Sequence, residues 1–386
     1  MKKIVFLINS LSSGGAEKVL SLLIKELSNK QKVELICLEK NNFYTLPKNV
    51  KVTYLTSNTG NQSSLIKLIQ LPILALKLKK HIRENNILLL QSHVYRANYI
   101  NILSKLLGSK HEVQIVNAGA ISRYQQEGFS GKINLFLINR LYNYADLIIL
   151  KAKGMQIDMQ KLFTFTNKKI VINNPYDIEH IEILKNEDVV DFIFDKTKKY
   201  IINIGRFETF KRQDVLIRTL KGISSDIELL LIGGGEKESI YKKIAIDNGV
   251  SERVHFIGKV KNPYKYLSKC DIFILSSEDG EGFPNALVEA MICKTLVISS
   301  DCVSGPREIL APSTNIENKI KNRFEIAENG ILFPVMNTIE LTNAINYVLN
   351  NSEECDCLIQ NAYNRTKDFS LDTIVKQYKE ILKGDL

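Results

Sequence analysis

The stretch EGFPNALVE, residues 281–289, places two carboxylates eight positions apart around a glycine, a proline and the start of an apolar run. This pattern predicts a loop that enters a helix, with Pro284 in the first helical turn, where a missing N–H removes no hydrogen bond. The first N–H groups of a helix have no intrahelical partners and lie at its positive end, so they favour phosphate. Glu289 is expected about two turns along the helix, where its carboxylate can accept hydrogen bonds from hydroxyl groups. An ordinary amphipathic helix with surface glutamates has the same spacing.

On both sides of this stretch, short apolar runs alternate with amphipathic segments. Strands that alternate with helices predict an α/β architecture in which helices cover both faces of parallel sheets. Two such series predict two Rossmann-like domains, at residues 1–180 and 181–370, with sites beyond the carboxyl ends of the strands. Helices are expected at 16–28 and 371–382. Strands are expected at 4–8, 33–38, 87–91, 114–117 and 146–150, and then at 200–204, 228–232, 254–257, 272–275 and 296–299.

Composition and charge narrow the class of protein. A length of 386 residues with 45% apolar composition suits two domains that each bury a core. Residues 1–180 carry 25 Lys and Arg against 11 Asp and Glu, a net charge of +14, whereas the remainder carries −4. A basic half favours an anionic partner, either membrane phospholipid or nucleic acid. The six cysteines form no C-x-x-C pair and no cluster with histidine, so zinc and disulfides are disfavoured and a reducing cytoplasm fits best.

The sequence also bears on membranes. The amino-terminal apolar run ends at Asn9 and Ser10 with no cleavage site after it, so it predicts a buried strand rather than a signal peptide. No run reaches the roughly eighteen uncharged apolar residues of a spanning helix. The chain is therefore expected not to cross a membrane, although it can rest on one.

Residues 64–80, SLIKLIQLPILALKLKK, are both cationic and strongly apolar. Their leucines and isoleucines could enter a membrane interface, and Pro72 should break or kink the helix. A surface helix packed on the first sheet with solvated lysines is the alternative. The cations that could meet lipid phosphates are Lys67, Lys77, Lys79, Lys80 and Arg83.

A second polar loop, GRFETFKRQ at residues 205–213, follows the strand expected at 200–204. It presents Arg206 and Lys211 at the carboxyl end of that strand, where their charges could stabilise a diphosphate leaving group without a metal. A solvated basic loop is the alternative.

Glycine-containing turns follow other strands. The turn SSGGAE, residues 12–17, joins the first strand to the first helix, so its backbone can approach a ligand closely. It has neither the G-x-G-x-x-G spacing nor the lysine of a P-loop, which disfavours a nicotinamide enzyme and an ATPase. The turns at 233–236 and 258–260 fit either ligand contact or a plain loop.

Together these motifs resemble the retaining glycosyltransferases of family four, which have the GT-B fold. EGFPNALVE resembles the family's E-x7-E element, GRFETFK its G-R-x(4–5)-K element and SSGGAE its S-x-G-G-A-E loop. The resemblance implies two Rossmann-like domains that face each other across a cleft. The first, 1–180, would bind the acceptor and the second, 181–370, the nucleotide sugar, while a helix at 371–386 would pack back on the first domain.

The resemblance also implies roles for individual residues. Glu281 would contact the donor sugar, Glu289 the nucleotide ribose, and Arg206 with Lys211 the diphosphate. Arg206 and Lys211 would neutralise the diphosphate without a metal, and no cofactor would be needed because the UDP-sugar is itself a substrate. The other residues expected at the donor are Gly15, Val260, Phe283, Pro284, Asn285, Ala286 and Leu287.

The chain departs from the family pattern on the acceptor side. Many relatives have a histidine where this chain has Asn117-Ala118-Gly119, and a retaining mechanism without it would use the leaving phosphate as base. His93 lies in an H-x-x-x-A-N pattern and could line the site or be a satisfied structural histidine. The residues expected on the acceptor side are Gly14, His93 and Asn117. A second departure replaces the glycine that often follows the lysine with Arg212.

The resemblance therefore implies a peripheral enzyme on the cytoplasmic face of the inner membrane that moves a sugar from a UDP-sugar to a polyprenyl-diphosphate-linked glycan. The segments 262–266 and 305–310 resemble those of enzymes that add N-acetylgalactosamine, which favours that donor. A non-hydrolysing nucleotide-sugar epimerase with the same fold is the alternative enzyme. A nucleic-acid-binding protein is disfavoured because the second half is acidic and no RNA-binding module is present.

Overall fold

The computed structural model describes residues 3–383, which divide into two compact units. One unit comprises residues 3–176 and 369–383, and the other comprises residues 177–368.

The first unit is built on a seven-stranded sheet with the strand order β3-β2-β1-β4-β5-β6-β7, in which every neighbouring pair is parallel. The strands are β1 (Ile4–Ile8), β2 (Val33–Cys37), β3 (Lys51–Tyr54), β4 (Leu89–His93), β5 (Glu112–Val116), β6 (Leu147–Leu150) and β7 (Lys168–Val171). The helices are α1 (Gly15–Ser28), α2 (Ser64–Ile69), α3 (Leu71–Glu84), α4 (Tyr95–Leu106), α5 (Gly128–Leu141), α6 (Lys153–Leu162) and, at the end of the described chain, α15 (Leu371–Ile381). Short 3-10 turns lie at Ser122–Gln125 and Tyr142–Tyr144.

The core of the first unit forms around its central strands. All five residues of β1 and all five of β2 are buried, as a parallel strand covered by helices on both faces requires. On one face α15 joins the core, because its Tyr378 packs with Leu20 and Ile24 of α1. The start of α15 is fixed by backbone hydrogen bonds, since Leu371 N–H donates to Tyr176 O at 2.8 Å. The last helix therefore packs on the first unit, and residues 384–386 of the expected segment lie outside the described residues.

The second unit has a seven-stranded sheet with the order β10-β9-β8-β11-β12-β14-β13. Only β13 runs antiparallel to its neighbour within the described residues. The strands are β8 (Lys199–Arg206), β9 (Ile227–Gly234), β10 (Val254–Gly258), β11 (Ile272–Leu275), β12 (Leu296–Ser300), β13 (Glu325–Ala327) and β14 (Gly330–Phe333). The helices are α7 (Ile178–Leu184), α8 (Gln213–Thr219), α9 (Glu238–Asp247), α10 (Tyr264–Leu267), α11 (Asn285–Ile292), α12 (Pro306–Leu310), α13 (Thr338–Asn350) and α14 (Ser352–Thr366). Short 3-10 turns lie at Thr209–Lys211, Leu220–Gly222, Ser251–Arg253 and Lys367–Phe369.

The boundary between the units falls four residues earlier than the end of the expected first domain, after Tyr176 instead of His180. The reason is α7, which packs against α10 and α11 of the second unit. The Asp177 carboxylate caps this helix by accepting the N–H of His180 at 3.1 Å.

All ten expected strands are present, two of them (β1 and β11) with the expected ends and eight with shifted ends. The largest shift is in β4, expected at 87–91, which begins at Leu89 because the chain first turns at Asn86 with a left-handed φ of 49°. Four further strands, β3, β7, β13 and β14, had not been predicted.

Candidate active site

The loop that carries Glu281 leaves the carboxyl end of β11 and enters α11 through Pro284. Pro284 is the N-cap residue with ψ 106°, so it precedes the first turn in which it was expected. The next loop along the sheet supports this backbone, because Ser304 Oγ donates to Gly282 O at 2.9 Å. Gly305 makes the close approach possible: its φ is 93°, and a Cβ there would lie 2.5 Å from Pro284 Cδ. Two neighbouring strand ends therefore fix the start of α11.

Both carboxylates of the 281–289 stretch are buried. Glu281 is 7% exposed and Glu289 is 5% exposed, so the alternative of surface glutamates is wrong. Glu281 Oε1 accepts hydrogen bonds from Lys211 Nζ at 2.6 Å and from Ser277 Oγ. A buried carboxylate of this kind needs a charged partner, and Lys211 supplies it.

Lys211 ends the 3-10 turn that follows β8. Its side chain is 19% exposed, its Nζ lies 5.2 Å from the centroid of the Phe210 ring, and its carbonyl oxygen accepts Ser276 Oγ at 2.8 Å. The loop is therefore not merely a solvated basic segment at this position. The structure brings together the lysine and the carboxylate that the sequence assigned to one donor site.

Arg206 has a different environment. Its side chain is 63% exposed, and Nη1 lies 2.7 Å from Glu208 Oε1. The arginine therefore pairs locally and turns to solvent, and the expected clamp of two cations on a diphosphate stays a prediction.

Cys302 lies close enough to Glu281 to feel its charge. Burial, together with the nearby Glu281 charge, raises the pKa of Cys302 to about 12, so its thiol stays protonated at neutral pH. Within residues 3–383, no three side chains of His, Cys, Asp or Glu are grouped closely enough to hold a metal ion.

The remaining donor-side residues differ in burial. Phe283 and Leu287 are 5% and 0% exposed, so any ligand contact they make would come through the backbone at the start of α11. The half-buried residues of this group are Asn285, Ala286 and, in the loop after β10, Val260.

In the first unit, Gly14 is the N-cap residue of α1 and Gly15 is its first residue. The Gly14 φ of −91° suits any residue, so the backbone conformation does not require glycine there. A Cβ on it would lie 2.2 Å from Glu17 Oε2, and Glu17 Oε1 also accepts Ser12 Oγ at 2.9 Å. The Glu17 side chain thus folds over the turn.

His93 and Asn117 lie at the carboxyl ends of β4 and β5 and are both buried. His93 is 2% exposed, its Nε2 lies 3.2 Å from Gln91 Oε1, and its ring packs edge-on against Phe6. Burial and the adjacent Lys151 hold its pKa well below the usual value, so the imidazole is neutral at neutral pH. Asn117 Oδ1 accepts Tyr142 Oη at 2.9 Å. These contacts are typical of structural side chains, and an acceptor-side role stays a prediction.

Lys151 was not among the sequence candidates. It directly follows β6, is 3% exposed, and donates to Tyr378 Oη on α15. Burial lowers its pKa to about 7. A lysine immediately after an apolar run was the available signal, because such a position lies at the carboxyl end of a predicted strand.

The protein contains two α/β units, each built on a seven-stranded sheet. The second unit carries a buried lysine–carboxylate pair on its strand-end loops. These features define a two-domain α/β protein of the GT-B type. The solved structures agree. HepE of Anabaena in complex with UDP and glucose has a TM-score of 0.74, with 21% identity and 100% of both chains covered. Sucrose-phosphate synthase of Thermosynechococcus elongatus has a TM-score of 0.81, with 16% identity, and covers 100% of this chain and 99% of its own. The expected α/β, GT-B fold class is confirmed.

Sequence comparison gives the family. The model of glycosyl transferases group 1 matches residues 185–365. A Campylobacter jejuni protein is 30% identical over 386 residues, which is 100% of both chains. Its name is N-acetylgalactosamine-N,N'-diacetylbacillosaminyl-diphospho-undecaprenol 4-alpha-N-acetylgalactosaminyltransferase. The chain belongs to the group 1 glycosyltransferase family.

Proposed function

We propose that this glycosyltransferase moves N-acetylgalactosamine from its UDP-linked form to a polyprenyl-diphosphate-linked glycan, with retention of configuration and without a metal. The observation that carries the proposal is the buried contact of 2.6 Å between Lys211 Nζ and Glu281 Oε1, at the entrance to α11. The acceptor class is supported by the full-length relative, whose name describes a diphospho-undecaprenol substrate. The nucleotide is supported by the UDP in the HepE complex.

Lys211 could contact the diphosphate of the donor while Glu281 contacts its sugar. As the bond from the anomeric carbon to the diphosphate oxygen breaks, negative charge grows on the phosphate, and the Lys211 ammonium can turn from Glu281 towards it. Glu281 is then free to accept hydrogen bonds from the sugar hydroxyls, while Glu289 would accept those of the ribose. The first N–H groups of α11 face the same charge. Arg206 would leave Glu208 to complete the neutralisation.

The proton of the acceptor hydroxyl would pass to the leaving phosphate oxygen. The acceptor oxygen forms its bond to the anomeric carbon on the face that the diphosphate leaves, so the configuration is retained. This route requires no imidazole, which fits the neutral, buried His93 and the asparagine at position 117.

The proposed membrane contact lies at α2 and α3, which meet at Gln70 with Pro72 in the first turn of α3. One face of α3 is buried, and the helix packs against α4. For that face, the alternative of a packed surface helix therefore applies. No residue of α2 is buried, and Leu65 and Ile69 are 66% and 64% exposed. Apolar side chains beside lysines suit the surface of an anionic bilayer.

The lysines of this segment are only partly available to lipid. Lys67, Lys77 and Lys79 donate to backbone carbonyls of the first unit at 2.7, 3.2 and 2.6 Å, whereas Lys80 is 70% exposed beside Glu84. Exposed apolar side chains of α2 would therefore contribute more than the lysines. Across residues 3–383, no helix has the length and apolar character to cross a bilayer. A peripheral position at the cytoplasmic face of the inner membrane is part of the proposal.

The test combines a donor panel with a lipid acceptor. Purified protein is mixed with UDP-N-acetylgalactosamine, other UDP-sugars and a polyprenyl-diphosphate-linked glycan, and the lipid product is analysed by mass spectrometry. We expect the gain of one or more N-acetylhexosamine units from one donor, and an α linkage shown by release of the added sugar with an α-specific but not a β-specific N-acetylhexosaminidase. An epimerised UDP-sugar formed without acceptor would instead establish the epimerase alternative.

A further inference from the structure

Arg212 occupies a backbone conformation that favours glycine. Its φ of 52° and ψ of 42° are left-handed, and it forms the N-cap of α8 directly after Lys211. A side chain with a Cβ is disfavoured there, which accounts for the glycine that the resemblance leads one to expect. An arginine at such a position needs compensating contacts.

The guanidinium of Arg212 makes those contacts with the first turn of α8 and with the loop that follows β11. Nε and Nη2 bind the Asp214 carboxylate in a fork, at 3.0 and 2.9 Å, within the same segment of chain. Nη1 lies 3.3 Å from Glu278 Oε2, on the loop that follows β11. The arginine side chain is 21% exposed, so solvent screens these pairs only in part.

The second contact belongs to a set that joins the Lys211 loop to the Glu281 loop. Glu278 N–H donates to Phe210 O at 2.7 Å, and Ser276 Oγ donates to Lys211 O at 2.8 Å. Lys211–Glu281 and Arg212–Glu278 are side-chain ion pairs that cross between these loops. The first involves groups that the proposed donor would contact, whereas the second does not.

We propose that Arg212 is a positioning residue, whose contact with Glu278 keeps the Lys211 and Glu281 loops joined when the donor diphosphate draws Lys211 away from Glu281. The inference rests on the proposed function, because it assigns the diphosphate to Lys211. When the relative positions of two loops are already fixed, the loops lose less conformational entropy on binding a ligand. A glycine at this position would leave the backbone flexible. Arg212 instead holds the Lys211 loop at a fixed distance from the Glu281 loop.

Three variants separate the contacts. Glu278→Gln removes the ion pair between the loops and leaves Arg212–Asp214, whereas Asp214→Asn is the matched control that weakens the local pair at the start of α8. Arg212→Gly keeps the left-handed backbone and removes both pairs. We expect Glu278→Gln and Arg212→Gly to weaken UDP binding and raise the donor KM by about fivefold to tenfold, as expected for the loss of a charged, partly buried contact. Asp214→Asn should change either value by less than about twofold.

Arg212→Lys is the conservative variant, because it keeps a charge near Glu278 but lacks the fork. It should recover part of the affinity that Arg212→Gly loses. Calorimetric UDP affinities equal to wild type in both Glu278→Gln and Arg212→Gly would overturn the inference, and so would a lower melting temperature without a change in UDP affinity or donor KM. Failure of the proposed transfer would show separately, as wild-type protein that binds UDP but forms no lipid product.

Discussion

Lys211 Nζ and Glu281 Oε1 lie 2.6 Å apart, so the cation expected at the diphosphate and the carboxylate expected at the sugar neutralise each other. The two side chains are 19% and 8% exposed, which makes either one costly to leave unpaired. In the proposed reaction, donor binding would therefore exchange partners within an existing pair instead of filling an empty charged pocket. In that exchange the diphosphate would take the lysine, and the sugar hydroxyls would replace the cation with neutral hydrogen bonds to the carboxylate.

Lys211→Ala should remove the match to leaving-group charge and leave the Glu281 carboxylate buried without its cation. We expect turnover to fall at least about tenfold and the protein to lose about 3 kcal/mol of stability. The measurements are initial rates at saturating donor and urea denaturation. Lys242→Ala is the control, because it breaks a surface pair of 2.7 Å with Glu238 and should cost less than about 1 kcal/mol. A Lys211→Ala enzyme with an unaltered rate would remove this residue from the donor site.

Glu281→Ala should show how much the Glu281 carboxylate contributes to catalysis, and its combination with Lys211→Ala should show how much the ion pair contributes to stability. We expect turnover to fall at least about tenfold at saturating donor, because one charged contact to the transition state is lost. The Lys211→Ala, Glu281→Ala double variant should recover stability relative to Lys211→Ala, because neither partner is then left buried alone. Denaturation curves of the four proteins give the coupling energy directly. Turnover like that of wild type in Glu281→Ala would contradict the role proposed for the carboxylate.

Particular residues show which features of the fold and of the candidate site the sequence could predict. The apolar runs of β1 and β11 are bounded by polar residues, so their ends could be predicted as observed. The strand β13 has only three residues, and the outer strand β7 begins with Lys168 and Lys169, so neither has the apolar run of a buried strand. The pairing of Lys211 with Glu281 joins positions 70 apart, and no local pattern encodes that distance. Nor could the sequence show that Arg206 turns to Glu208 and solvent.

The stability of the protein should depend on Lys151 above neutral pH. Burial lowers its folded-state pKa to about 7, from an ordinary value of 10.5. Between these values the unfolded chain binds a proton that the folded protein does not, so the free energy of unfolding should rise with pH. The slope should approach about 1.4 kcal/mol per pH unit and vanish below the folded pKa, where both states are protonated.

Lys151→Met isolates that contribution. Its melting temperature should rise less than that of wild type between pH 7 and 9, the lower part of the window between the folded and ordinary pKa values. Lys80→Met, at a side chain 70% exposed, is the control and should follow the wild-type curve. Parallel curves for wild type and Lys151→Met would show that the lysine does not titrate in this range.

Replacing Leu65 and Ile69 of α2 by serine should weaken binding to vesicles that contain anionic lipid. These side chains are 66% and 64% exposed, so the melting temperature should change little, whereas the interface loses the apolar contact of both. Flotation with anionic and neutral vesicles at two salt concentrations measures the effect. Ile183→Ser is the matched control, because Ile183 is 69% exposed on α7 of the second unit and should not alter binding. Equal flotation of the α2 variant and wild type would show that α2 does not contact the membrane.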